Sequence, residues 1–206
     1  MIPVSINMVV RNEEARLQVL LPLLQDFDEV VVVDQESTDS TFNLCKSFGY
    51  KVLTDKATGY ADTSRALCMS ESKNNWILTL DADEFITNRF KEDIPFLIDN
   101  PRYDGILCCM AHIVTNDDIP IEDVLNMGYV IDKEHHSKPY CWRLYHKDRV
   151  HIEGKLHTGV RPRHNDIGLY LHYNALVEIK SQEELNIDVN RYKSVVYNCY
   201  HPELFP

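Results

Sequence analysis

No run of about 18 apolar residues occurs anywhere in the 206-residue chain, so a membrane-spanning helix is not expected. The apolar opening Met1-Ile2-Pro3-Val4 meets Arg11, Glu13 and Glu14 too soon for a secretory leader, and a cytoplasmic protein is expected. Basic residues are in deficit, 21 Lys and Arg against 32 Asp and Glu, which gives a net charge of −11. That sign disfavours broad binding to nucleic acid or an anionic membrane, although a local basic patch remains compatible with it. Six cysteines occur without a C-x-x-C spacing, and several sit in apolar runs. They read as reduced core thiols, not as a zinc site or a disulfide framework. Internal repeats and low-complexity linkers are also missing, so 206 residues with 44% hydrophobic content imply one well-cored domain.

Strand and helix signals alternate three times in the first eighty residues. Val4 to Val10 is a short apolar strand. Leu17, Leu20, Leu21 and Leu24 then follow at i, i+3, i+4 and i+7, the face of an amphipathic helix that Pro22 kinks or ends. Glu29 to Asp34 is an uninterrupted apolar run closing on an acid, as a strand buried on both faces should be. Ser37 to Thr41 supplies helix caps before Phe42, Cys45 and Phe48, and Gly49 closes that helix. Lys51 to Thr54 is a third strand, Ala61 to Ser72 a third helix, and Trp76 to Leu80 a fourth strand. This rhythm predicts an α/β fold of βαβ units around a mostly parallel central sheet flanked by helices.

The fourth strand runs into Asp81-Ala82-Asp83-Glu84. If the chain stays extended, Asp81 and Asp83 point to one side at the carboxyl end of a core strand, where open α/β sheets bind ligands. Two acids that close repel each other and favour a divalent cation shared with substrate phosphates. An isolated D-x-D is also a common solvated loop or helix cap, and its position at a strand end is what argues for chemistry.

After Glu84 the pattern loosens. A helix with Phe90, Ile94, Leu97 and Ile98 on one face precedes a strand from Gly105 to Val114, and residues 116 to 136 read as a long functional loop. Tyr140 to Tyr145, Leu156 to Val160 and Leu169 to Tyr173 are strand candidates. From Ser181, with Glu184 in the capping-box position, a terminal helix would carry Leu185, Val189, Tyr192 and Val196.

Taken in order, Asn12-Glu13-Glu14, Asp28 to Asp34, Glu36 to Thr41 and Asn75 to Glu84 resemble family 2 glycosyltransferases of the GT-A fold, in particular the lipopolysaccharide-core glucosyltransferase type. Arg143-Leu144-Tyr145, Gly154-Lys155-Leu156-His157, His172-Tyr173-Asn174 and Arg191-Tyr192 extend the likeness more weakly. The resemblance implies a single domain over residues 1–206, with a nucleotide-sugar-binding half to about residue 90 and an acceptor half beyond it. It implies transfer of a sugar from a nucleoside diphosphate donor, UDP-linked by preference, to an acceptor hydroxyl with inversion, aided by Mn2+ or Mg2+. Arg11, Glu13 or Glu14, Asp34, Arg65, Asp81 and His157 would contact the donor, and Asp83, Asp81 and His172 would hold the metal.

Glu13 and Glu14 have a second, less favoured reading as first-turn acids that suit the helix dipole, and Arg65 reads equally as an exposed helix arginine. The family commonly places an acid after the histidine of its G-x-x-H segment. Thr158 stands there, so the base is sought at Glu153 or Asp166, with Asp117 and Asp118 as further candidates. Three rivals accompany this reading. A nucleotidyltransferase would need an early glycine-rich loop, yet the first glycine is Gly49. A non-catalytic sugar-nucleotide or glycan module is suggested by Thr158. A transferase could instead act on a modified nucleobase or a protein; the basic stretch Arg149, Lys155, Arg161 and Arg163 with His151, His157 and His164 could meet a phosphate backbone, although it reads more simply as a diphosphate contact or a solvated face.

Overall fold

The apolar runs of the first half become adjacent parallel strands. The computed structural model describes residues 1–58, 61–100, 102–127, 140–152, 160–164, 166–170, 174–184 and 186–187. Strand β1 (Ile2–Val10) leads through helix α1 (Glu14–Leu20) to β2 (Phe27–Asp34). Pro22 stands where the α-helix tightens into a 3-10 turn over Leu21–Leu24, since proline cannot continue the ladder of helical N–H donors. Helix α2 (Thr41–Ser47) returns the chain to β3 (Lys51–Thr54), and Gly49, at φ 77°, supplies the left-handed residue that ends the helix. Helix α3 (Asp62–Ser70) then crosses to the far side of β1, where β4 (Trp76–Thr79) pairs parallel with it.

The remaining elements are β5 (Glu84–Ile86), α4 (Asn88–Ile98), β6 (Gly105–Val114), α5 (Ile121–Leu125), β7 (Tyr140–His146), β8 (Val150–Ile152), β9 (Val160–Pro162), β10 (Ile167–Tyr170) and β11 (Leu176–Lys180). The nine-stranded sheet runs β3-β2-β1-β4-β7-β6-β11-β5, with β10 paired to β6 beside it, while β8 and β9 form a separate antiparallel pair. Pairs among β1 to β4, and β10 and β11 with β6, are parallel. Strand β7 is antiparallel to both its neighbours, and β5 is antiparallel to β11. The order reverses between β1 and β4, a topological switch point whose carboxyl end is where such sheets hold ligands.

Val4, Ile6, Met8 and Val10 of β1, at alternate positions, enter the main core with Leu17, Leu20, Leu78, Phe90, Ile94 and Leu144. Each fully buried side chain of that size contributes roughly 1.5–3 kcal/mol. On the other face Val31 and Val33 pack against Cys68 of α3. Cys45, Cys68, Cys108 and Cys109 are buried and reduced, as the composition suggests.

The structure departs from the expected pattern in its strands. The fourth strand stops at Thr79, so the acids follow in a turn and not in an extended run. Strands β5 and β11, both missed by the sequence patterns, complete the sheet edge. The capping box at Ser181 is present, with Ser181 N donating to Glu184 Oε2 at 2.7 Å and Glu184 N to Ser181 Oγ at 3.2 Å, but Leu185, Val189, Tyr192 and Val196 lie outside the described residues.

Candidate functional site

At the carboxyl edge beside the switch point, the turn after β4 clasps itself. Asp81 N donates to Glu84 Oε2 at 2.9 Å, and Glu84 N donates to the Asp81 carbonyl at 3.1 Å. That geometry sends the carboxylates apart. Asp81 accepts from Arg65 Nη2 of α3 at 2.9 Å on Oδ1 and from Arg143 Nη2 of β7 at 3.0 Å on Oδ2. Glu84, buried, shares the Arg143 guanidinium. Asp83 turns instead to β11, where Lys180 Nζ lies 3.3 Å from its Oδ2 and Ile179 N donates to its carbonyl at 3.1 Å. The side-by-side D-x-D pair expected from strand alternation is therefore replaced by two acids on different cations.

The electrostatics follow from burial and these partners. Burial opposes the charge on Asp81, but Arg65 and Arg143 outweigh it and hold the carboxyl well below the usual range. Burial pushes Glu84 up, against the pull of Arg143 and with help from Asp81. Burial likewise raises Asp83, with Lys180 opposing and Glu178 and Asp81 reinforcing the rise. A carboxylate so placed gains from a further positive charge. Glu178 binds Lys180 Nζ at 2.7 Å and His112 on its other side. Against the cost of burial, those two partners draw it down to about 2.

The turns after β1 and β2 are stitched together next to this cluster. Asn12 N donates to Ser37 Oγ at 2.9 Å, Thr38 N to Asn12 Oδ1 at 2.7 Å, and Glu13 N to Thr41 Oγ1 at 2.8 Å. Glu14 Oε2 accepts from Ser40 N at 3.1 Å, so its carboxylate is spent on the turn. Asn12 and Glu36 hold φ of 55° and 54°, a left-handed conformation that the cross-links sustain. Asp34, 3% exposed, accepts from Ser37 N at 3.0 Å through Oδ2; among the described residues nothing donates to its buried Oδ1. A cleft of about 550 Å³ opens beside these turns, lined by Asn12, Glu13, Glu14, Arg16, Asp39 and Glu184. Arg16 bridges Glu13 at 3.1 Å and also binds Glu184, tying the capping-box turn to α1. Burial raises Glu13 despite Arg16.

Of the residues singled out in the sequence, Glu13, Glu14, Asp34, Arg65, Asp81 and Asp83 thus gather at one edge, and exposed Arg11 follows β1 there. Asp166 does not join them. Its carbonyl accepts from Asp104 N at 2.7 Å at the start of β6, level with the start of β4, roughly 15 Å of strand from Asp81. There it lines a smaller cleft of about 360 Å³ with Arg102, Asp104, Arg149 and His164. Asp117 follows the opposite end of β6, with its N donating to Thr115 Oγ1 at 3.0 Å. Glu153, His157 and His172 lie outside the described residues. Among the described residues, no three His, Cys, Asp or Glu side chains converge as a ready metal site. Sequence reasoning missed Lys180 and Glu178, whose signal was the short apolar run Leu176-Val177 ahead of alternating polar positions. It noted Arg143 only as part of a likeness and gave it no role.

Comparison with known proteins agrees with this architecture. An uncharacterized glycosyltransferase of Rickettsia felis is 32% identical over 148 residues, 70% of this chain and 48% of that protein. One from Rickettsia typhi is 32% identical over 105 residues, 50% of this chain and 36% of that protein. The chain thus spans less than half the length of these relatives. The lipopolysaccharide core biosynthesis glycosyltransferase LpsC of Rhizobium meliloti is 25% identical over 203 residues, 94% of this chain and 70% of that protein. The crystal structure of S. aureus TarS 1-349 in complex with UDP shares the fold, with a TM-score of 0.58 at 17% identity over 88% of this chain and 62% of that one. No described helix is long and apolar enough to cross a membrane. Residues 5–154, from β1 through β8 and including both stitched turns and the acids after β4, match the family described as glycosyl transferase family 2, to which this chain belongs.

Proposed function

We propose that the chain transfers a sugar from a nucleoside diphosphate sugar, UDP-linked by preference, to the hydroxyl of a glycan or similar acceptor, with inversion at the anomeric carbon. The observation that carries the donor half of this reading is Asp34. A buried carboxylate oxygen with no donor among the described residues, at the carboxyl edge of β2, is an acceptor for an imide N–H or a ribose hydroxyl. The stitched turns around it form a floor whose shape is set before the nucleotide arrives.

Asp83 fits a divalent cation: it is a hard oxygen donor, raised by burial, with one oxygen on a displaceable lysine. Asp81 fits less well, because both of its oxygens are bonded by arginines. In this reading Asp81 aims Arg65 and Arg143, and Asp83 would hold Mn2+ or Mg2+. The bound ion would supply Lewis-acid stabilisation of the diphosphate leaving group. Arg65 and Arg143, fixed on their carboxylates, add positive potential at the same edge. A carboxylate or histidine on the acceptor side takes the proton from the attacking hydroxyl. Of the described candidates Asp117 and Asp118 follow the carboxyl end of β6, whereas Asp166 is at the wrong edge.

The test is a thermal-shift panel of UDP, GDP and ADP with and without Mn2+, on the wild type and Asp34→Ala. UDP with Mn2+ at 100 times its Kd should stabilise the wild type by about 2.7 kcal/mol. Asp34→Ala should need roughly tenfold more UDP for the same shift. A panel with no nucleotide response, or an Asp34→Ala response equal to wild type, refutes the assignment.

A further inference from the structure

Lys180 occupies one of the two oxygens that Asp83 could offer to a cation. Its ammonium lies 3.3 Å from Asp83 Oδ2 and 2.7 Å from Glu178 Oε1, so it straddles two carboxylates. The arrangement is rigid on the protein side. Ile179 N holds the Asp83 carbonyl, Glu178 sits opposite Glu84 in the antiparallel β5–β11 register, and His112, its partner on β6, holds the other side of its carboxylate. Glu178 and Lys180 are two apart on one strand and face the same way. Asp83 and Lys180 are only 13% and 21% exposed, so their attraction is little screened by water.

We infer that Lys180 is the internal counter-ion of Asp83, which a divalent ion displaces on binding, and that Glu178, already bound to the ammonium at 2.7 Å, retains it when it is displaced. This rests on the metal role proposed for Asp83. Two cations on one carboxylate repel each other strongly, so an ion that engages Asp83 drives the Lys180 ammonium off Oδ2. A lysine stem with four rotatable bonds can make that move, and Glu178 lets it do so without leaving the charge unpaired in a half-buried site. The lysine therefore keeps Asp83 neutralised before the donor comes and lowers the affinity of the free site for metal. It also leaves a positive group beside the place where the diphosphate and its ion arrive together.

The experiment is calorimetric titration of Mn2+ into the whole chain saturated with UDP, which reads binding and not turnover. Lys180→Met should bind Mn2+ about tenfold more tightly, the change produced by about 1.4 kcal/mol of lost competition. Lys180→Arg, which keeps the charge, should remain near wild type, and Asp83→Asn should show no binding heat. Should Lys180→Met prove unfolded by thermal melting, Glu178→Gln decides: with the refuge for the ammonium weakened, Mn2+ binding should loosen severalfold. If Asp83→Asn abolishes binding while the Lys180→Met affinity is unchanged or weaker, the counter-ion role is overturned and the metal site stands. If Asp83→Asn binds Mn2+ as wild type does, the metal assignment itself fails and the role of Lys180 falls with it.

Discussion

The two ends of one sheet both carry paired acids and bases, and they are built differently. At the amino edge Asp104, buried, accepts from His164 N at 2.8 Å and lies 3.4 Å from its ring nitrogen, while the histidine side chain is 65% exposed. The backbone places most of that contact, and the histidine contributes a solvated group worth little. At the carboxyl edge three acids from one turn are met by cations delivered from α3, β7 and β11, all largely withdrawn from water. Burying that much charge costs free energy unless each group is matched, and no packing advantage requires it. Three half-buried or buried cations converge on the acids of the carboxyl edge, whereas at the amino edge a mostly exposed histidine meets one buried acid.

The contrast can be broken most forcefully at Asp83. Asp83→Asn should reduce transfer by at least about 100-fold at limiting Mn2+, since a ligand lost from the leaving-group ion removes several kcal/mol of transition-state stabilisation. Initial rates with donor and acceptor at saturation, against a melting curve like that of wild type, check this.

Arg143→Met should be the most destabilising change at this edge. It strands buried Glu84 and half of Asp81 without their guanidinium, at a cost of about 3–5 kcal/mol read from the urea midpoint. Arg143→Lys should recover only part, because a point charge cannot span both carboxylates.

Glu178 supplies a pH signature. Its folded value, about 2, lies below the ordinary 4.5, so its contribution is present above pH 4.5 and is lost as pH falls toward 2. Glu178→Gln should therefore flatten the loss of stability across that window, by at most about 3 kcal/mol, in denaturant melts at stepped pH.

The smallest effect belongs to the amino edge. Asp166→Asn should leave transfer rates unchanged and alter stability by less than about 0.5 kcal/mol. A large loss of turnover with an intact fold would reverse the ranking of the two edges.

The parallel half of the fold was legible because its information is local. Val30 to Val33 announce a doubly buried strand, Pro22 and Gly49 punctuate helices, and Asn12, Asp34, Asp81 and Asp83 stand at strand ends where ligands gather. The partners of those acids were not legible. That Arg143 meets Asp81 and Glu84 depends on β7 running antiparallel beside β4, and that Lys180 meets Asp83 depends on β11 reaching the turn beside β5. Such pairings follow from sheet order, which no periodicity encodes. The turn at Ala82-Asp83 defeated the alternation argument for a similar reason: Asp81 and Glu84 bond each other's backbone more favourably than they extend the strand.

The order in which these charges are laid down along the chain has a consequence for assembly. Of the cations that meet the three acids after β4, Arg65 precedes them in the chain, whereas Arg143 follows well after and Lys180 later still, so a growing chain carries these carboxylates with only part of their counter-charge. Their mutual repulsion is fully offset only once β7 and β11 are in place. Pairings between residues this far apart in the chain carry a loop-closure cost that local ones do not. A fragment ending after α4 would therefore keep the acids and Arg65 but lack Arg143 and Lys180, which complete their neutralisation.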